Sequence, residues 1–199
     1  MMLTELTTVS GAALPLQALK DHLRLGSGFA DDGMQDALVE SYLRAAMAAI
    51  EARIGKVLVA RQFMLSLQDW RGQSEQALPV APVAALVSVT LVDPLGVQTV
   101  LAPARYRLVP DTHRPKLAAV GILLPAVPSE GRVEIVFDAG FGAAWSAVPP
   151  DLAQAVLLLA AEFYEHRLDT GGRSFGLPVT VQALIEKWRT VRVLGGGAA

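Results

Sequence analysis

No cysteine occurs in the chain, which excludes disulfides and thiolate chemistry and fits a reducing compartment. Charge is also scarce. Asp, Glu, Lys and Arg make up 18% of the 199 residues, where about 25% is usual. The net charge of −2 gives no electrostatic reason to expect nucleic-acid binding. Aromatics are few at 6%, so the 52% hydrophobic content rests on Ala, Val and Leu. That mixture suits helix packing, and it suits a surface that lies against another subunit. No apolar run approaches the roughly 20 residues that a bilayer requires; the longest in the central helix is Ala155–Ala161. The N-terminus lacks a basic segment followed by an apolar one, so no signal peptide is expected and the protein reads as soluble and made inside the cell.

What is present is organised around V-P-P-D-L-A-Q-A-V-L-L-L-A-A-E-F-Y-E-H-R-L at 148–168. Pro149 and Pro150 suit a first helical turn, and Asp151 sets a negative charge beside unpaired N–H groups. Leu152, Val156, Leu159 and Phe163 share one face, while Leu157, Ala161, Tyr164 and Leu168 run round the other side. A helix apolar on nearly all sides needs cover from this chain or from a neighbouring copy.

Before it, residues 1–12 read as an extended arm, and a short helix follows over 16–25 up to Gly26-Ser27-Gly28. A long helix runs from Asp31-Asp32 to about Ile54, with Leu38, Tyr42, Ala45, Ala46, Ala49, Ile50 and Arg53 at helical spacing and Gly55 as its stop. Strand formers then dominate: 63–67, 87–92 and 97–101 (a hairpin about Asp93-Pro94-Leu95-Gly96), 106–109, 121–124 and 133–137. The proline-punctuated 78–83 is a connector. Asp169–Arg173 marks a break, and Pro178 and Thr180 open a last helix with Val181, Leu184, Ile185 and Trp188 on one face. The expected fold is α+β: a helical bundle of the long, central and C-terminal helices with a small, mostly antiparallel β unit inserted. The divisions are 1–57, 58–142 for the β unit, 143–190, and 191–199 as a flexible C-terminal arm.

Candidate chemistry is thin. The three histidines are His22, His113 and His166; Glu162, Glu165, His166 and Asp169 gather at one helix end, but the second histidine of a helix-borne zinc site is missing. Asp31, Asp32 and Asp36 lack the alternating ligands and terminal glutamate of a calcium loop. Gly26-Ser27-Gly28 and Gly140-Phe141-Gly142 carry neither a phosphate-loop lysine nor a dinucleotide fingerprint, and no Gly-x-Ser-x-Gly elbow exists. No enzyme, cofactor or metal is expected. An alternative is a small-ligand protein or enzyme with a pocket around Trp70, Tyr106 and Asp111 in the β unit; another is a scaffold module with a different helical partner. After Trp188, Val191, Val193 and Leu194 alternate with Thr190 and Arg192 before the glycines. The residues alone allow two readings of this segment: a frayed helix end, or an arm that becomes ordered on a partner.

In their order, L-Q-A-L-K-D-H-L-R-L at 16–25, D-D-G-M-Q-D-A-L-V-E-S-Y-L-R-A-A-M-A-A-I-E-A-R-I-G at 31–55, L-V-S-V-T-L-V-D-P-L-G-V-Q-T-V-L at 86–101, V-E-I-V-F-D-A-G-F-G at 133–142 and V-P-P-D-L-A-Q-A-V-L-L-L-A-A-E-F-Y-E-H-R at 148–167 resemble the head–tail connector, or adaptor, family of tailed bacteriophages and gene transfer agents. The resemblance is nearest to the gene transfer agent adaptors. It implies a structural virion component, made in the bacterial cytoplasm and built into the particle neck as a ring, usually a dodecamer of the chain itself. The portal protein would lie on one side and a stopper or tail-completion protein on the other, with double-stranded DNA passing through without sequence-specific binding and no membrane involved. Carried onto this sequence, Trp188, Val191, Arg192, Val193 and Leu194 would form the portal-binding arm. Leu157, Ala161, Tyr164, Tyr42, Ala46 and Ile50 would be the ring-packing residues.

Overall fold

The computed structural model describes residues 1–23, 35–167 and 176–189. The glycine pair at 26–28, the acidic pair at 31–32, the break at 169–173 and the arm residues 191–199 lie outside the described residues. Helices and antiparallel sheets together make the fold α+β.

Among the described residues there are four α-helices, which contribute buried residues to one core: α1 (Leu16–His22), α2 (Asp36–Ile54), α3 (Pro150–Glu165) and α4 (Val179–Ile185). The strands are β1 (Met2–Glu5), β2 (Arg61–Leu67), β3 (Glu75–Ala77), β4 (Val83–Val92), β5 (Gln98–Val100), β6 (Tyr106–Val109), β7 (Lys116–Ala119) and β8 (Arg132–Ala139), with burial alternating most regularly along β2 and β8. Five of them make a sheet in the order β1-β2-β8-β4-β5, and three make a smaller one, β3-β7-β6; every pairing is antiparallel. The strand latest in the sequence, β8, is the middle of the large sheet, and its Val133, Ile135, Phe137 and Ala139 alternate into the core.

Two cores result. In the first, Val39, Leu43, Ala46, Met47 and Ile50 of α2 meet Leu152, Val156, Leu159 and Ala160 of α3, with Leu19 and Val181 closing the ends. The second lies on the sheets, where Phe63 stacks on Phe137 (ring centroids 5.9 Å apart, 22° between planes) beside Leu65, Leu117 and Ile135. Gly140 leads out of β8 at φ 134°, a conformation that L side chains rarely adopt, and any Cβ there would run into the Ala60 backbone.

Three expectations change. Residues 2–5 are not part of a free arm: they pair with β2 from Met2↔Ser66 to Glu5↔Phe63, so the large sheet draws on both sides of the division at residue 58. The strand expected at 121–124 is a loop, and Lys116–Ala119 takes its place between β3 and β6. Gly121 interrupts the apolar run, and Ile122 projects into solvent at 88% exposure. Strand β3 itself carries no strand signal in its residues Glu-Gln-Ala; backbone pairing alone makes it one. Lastly, the buried stripe of α2 is Val39, Leu43, Ala46, Met47, Ile50 and Ile54, while Leu38, Ala45 and Arg53 face outward. The larger side chains gain more from burial than the alanine-rich stripe, and this sets the roll of the helix.

Candidate assembly surfaces

The expected ring-packing residues divide in two. Ala46 and Ile50 are wholly enclosed, and Ala161 is 6% exposed; all three lie between α2 and α3 of the same chain and have almost no surface to offer a neighbour. Their physical role is to let two backbones approach and to hold them there. Tyr42, Leu157 and Tyr164 are half-buried at the margin of that core. The two tyrosine rings meet edge to face at 5.9 Å. The Tyr164 hydroxyl donates to Gln35 Oε1 at 3.3 Å, and the Arg167 guanidinium lies over the Tyr164 ring, 4.3 Å from its centroid. These three remain available to a second surface. The helix is therefore covered by its own chain along Leu152, Val156 and Leu159 but only in part along the other stripe.

Trp188 is placed differently from the tip of an arm. It ends the 3-10 turn Glu186–Trp188, its ring meets Phe141 edge to face at 5.4 Å, and its indole N–H donates to Asp151 Oδ2 at 2.7 Å. Lys187 Nζ lies 2.9 Å from the same oxygen. Burial alone would raise the Asp151 carboxyl, but the hydrogen bonds from Lys187, Trp188 and the Leu152 N–H outweigh it and hold the group below its ordinary range. The sequence reading of Asp151 as a partner for helix-start N–H groups is thus half of its role, the other half being to fasten the end of the described chain. Of the residues expected in the arm, Trp188 is the one described, and it packs against its own chain.

Two apolar outcrops were not singled out in the sequence. The β4–β5 turn exposes Leu95 at 89%, with Val97 and Val100 beside it, and the loop after β7 exposes Val120, Ile122 and Leu123. The signal was available in P-L-G-V and V-G-I-L-L, where apolar residues flank a turn glycine and cannot all turn inward.

The residues of the ligand-pocket alternative each have a structural task. The Trp70 indole donates to the Pro125 carbonyl at 2.7 Å, Tyr106 is buried on β6, and Asp111 Oδ1 accepts the His113 and Arg114 N–H groups at 2.7 Å each. Those two bonds, the first larger, hold the Asp111 carboxyl below its ordinary range. His166 Nδ1 sits 3.0 Å from the Glu162 carbonyl and closes the end of α3. Among the described residues no three of His, Asp and Glu are grouped to hold a metal ion, and no helix is long and apolar enough to cross a membrane.

Against known proteins, no protein-family model matches the chain, and no curated protein matches it. Solved structures do. The chain is similar to one from the neck of an empty gene transfer agent particle computed with C6 symmetry, at 57% identity and TM-score 0.90, covering 98% of this chain and 99% of that one. A chain from the virion of a native gene transfer agent particle is 58% identical, with TM-score 0.87 and the same coverage. Another, from a native particle neck computed with C12 symmetry, is 54% identical with TM-score 0.85, again over 98% and 99% of the two chains. At this identity over almost the whole length, the chain belongs to the gene transfer agent neck proteins, a family of structural head–tail adaptors of the virion rather than enzymes.

Proposed function

We propose that copies of this chain close into a ring, a dodecamer, between the capsid portal and the stopper or tail-completion ring, with double-stranded DNA passing through the centre. The observation that carries this reading is the near full-length likeness to chains of gene transfer agent necks, one of them computed with C12 symmetry. The helical layer acts as the bundle of the ring wall, in which Tyr42, Leu157 and Tyr164 meet the next copy while Ala46, Ile50 and Ala161 keep α2 and α3 in register from inside. Leu95, Val97, Val100 and Ile122 find their cover in the assembled neck, since exposed apolar clusters of this kind are costly on a lone molecule. The segment that starts at Trp188 and continues through Val191, Arg192, Val193 and Leu194 grips the portal, rooted by the Asp151 and Phe141 contacts. A net charge of −2 suits a passage, because a strongly cationic lumen would hold phosphates by counterion release and stall them.

Imaging of particles made without this chain tests the reading: DNA-filled heads lacking tails are expected, and normally tailed particles would overturn it. Removal of residues 191–199 tests the arm. Portal binding should be lost while the fluorescence of the packed Trp188 is retained; unchanged portal binding would reject the arm.

A further inference from the structure

A cleft of about 460 Å³ opens where the C-terminal end of α2 faces the small sheet. Arg53, Arg114, Lys116 and Arg189 line it together with His113, and no carboxylate is among its lining residues. These cations come from four separate places: the last turn of α2, the loop before β7, β7 itself and the end of the described C-terminal segment. A favourable position at a helix C-terminus accounts for Arg53 alone. Behind His113, Lys56 is 1% exposed with Nζ 3.2 Å from the imidazole Nδ1, and the Asp111 carboxylate, outside the lining, sets one negative charge beside this pair. In a chain whose net charge is −2, this is a local reversal of sign.

The carboxylates around the cleft are exposed ones. Lys116 Nζ lies 2.7 Å from Glu75 Oε1, and Arg189 Nη1 lies 3.0 Å from Glu186 Oε2, with the two carboxylate side chains 50% and 64% exposed. Such surface pairs cost little to exchange for a better one. The remaining wall is apolar, from Ile54, Leu78 and Pro79. A duplex is too wide to enter a cleft of this size, and its phosphates would meet oily walls rather than a groove that tracks a backbone. A single extended segment carrying acidic side chains among apolar ones matches both the charge and the walls.

We infer that this cleft is a docking site for an acidic segment of a protein that abuts this chain in the particle. The inference rests on the neck reading above, and adds to it the chemistry of one contact. Because Arg189 lines the cleft and follows Trp188 directly, an occupant would press on the root of the C-terminal segment.

The test replaces Ala77, an exposed cleft-lining residue on β3, with photoreactive p-benzoylphenylalanine in assembled particles, followed by irradiation and mass spectrometry. An adduct with a peptide carrying at least two Asp or Glu residues is expected. An adduct with DNA, with a neutral or basic peptide, or no adduct would overturn the inference. In parallel, the pair Arg53→Glu and Arg114→Glu should lower the adduct and the tailed-particle yield tenfold or more, while Arg53→Lys with Arg114→Lys keeps both within about twofold. Unchanged yield in the charge-reversed particles would also overturn it. Absence of the chain from the particle neck would sink the neck reading itself, whereas presence in the neck without an acidic adduct sinks only the cleft.

Discussion

Glu51 near the end of α2 and Arg61 at the start of β2 clasp each other across the seam between the helices and the sheet: Arg61 Nη2 lies 2.6 Å and Nη1 3.0 Å from the two carboxylate oxygens. Glu51 Oε1 also accepts the Leu58 N–H at 2.7 Å, and Arg61 Nε reaches Glu5 of β1 at 2.9 Å. One guanidinium thereby ties the long helix, an inner strand and the edge strand into one body.

Both side chains of that pair are about 10% exposed, so removing Glu51 leaves the buried guanidinium with Glu5 alone and the Leu58 N–H without its acceptor. Glu51→Ala is expected to destabilise the fold by about 3 kcal/mol. Glu51→Gln keeps an acceptor for the Leu58 N–H and should cost less. Urea unfolding of the purified chain checks both values.

The docking of the C-terminal segment should depend on pH through Asp151. Its carboxyl lies below its ordinary range in the folded chain, so the stabilisation is complete above about pH 4, the value of a free aspartate, and is lost as pH falls through the lowered one. Trp188 fluorescence should report an acid transition in this window, and Asp151→Asn should remove it. Asp151→Ala, which also leaves the indole N–H without its acceptor, should cost about 1–3 kcal/mol at neutral pH.

Gly140 cannot be replaced cheaply. Gly140→Ala puts a side chain at φ 134° and into the Ala60 backbone, and a loss of about 3 kcal/mol is expected from strain and overpacking together. Thermal unfolding measures it, with Gly96→Ala as the comparison: φ there is also positive, at 85°, but nothing lies within 4 Å of the added atom. The Gly140 variant should be the more damaged of the two.

At the apolar outcrops the effects should separate. Ile122→Ser and Leu95→Ser alter side chains that touch little in the chain itself, so stability should change by no more than about 0.5 kcal/mol. The yield of tailed particles should fall severalfold. A stable variant with full yield would show that these residues have no cover in the neck.

The sequence by itself determined the long helices α2 and α3, the strands β2, β4, β5, β6 and β8, and the family. Proline signals open α3, Gly55 ends α2 in a left-handed turn at φ 67°, and the alternation of V-E-I-V-F marks β8. These are local signals, written in residues close together along the chain. The residue order of the connector family was legible in the same way. The structure decided what depends on partners distant in sequence. Residues 2–5 became a strand because β2 left an edge to pair with, and Lys116–Ala119 became one between β3 and β6 although the stronger apolar run follows it. The roll of α2 followed from the fit of Val39, Leu43 and Met47 against α3. Trp188 turned inward because Asp151, 37 residues earlier, supplies an acceptor at the right distance. The cationic cleft is likewise invisible along the chain, since Arg53, Arg114 and Arg189 converge only when the end of a helix, a loop and the C-terminal segment are packed together. Periodicity specifies which face of an element is apolar; only tertiary packing specifies what that face meets, because burial and charge pairing reward proximity in space and not along the chain.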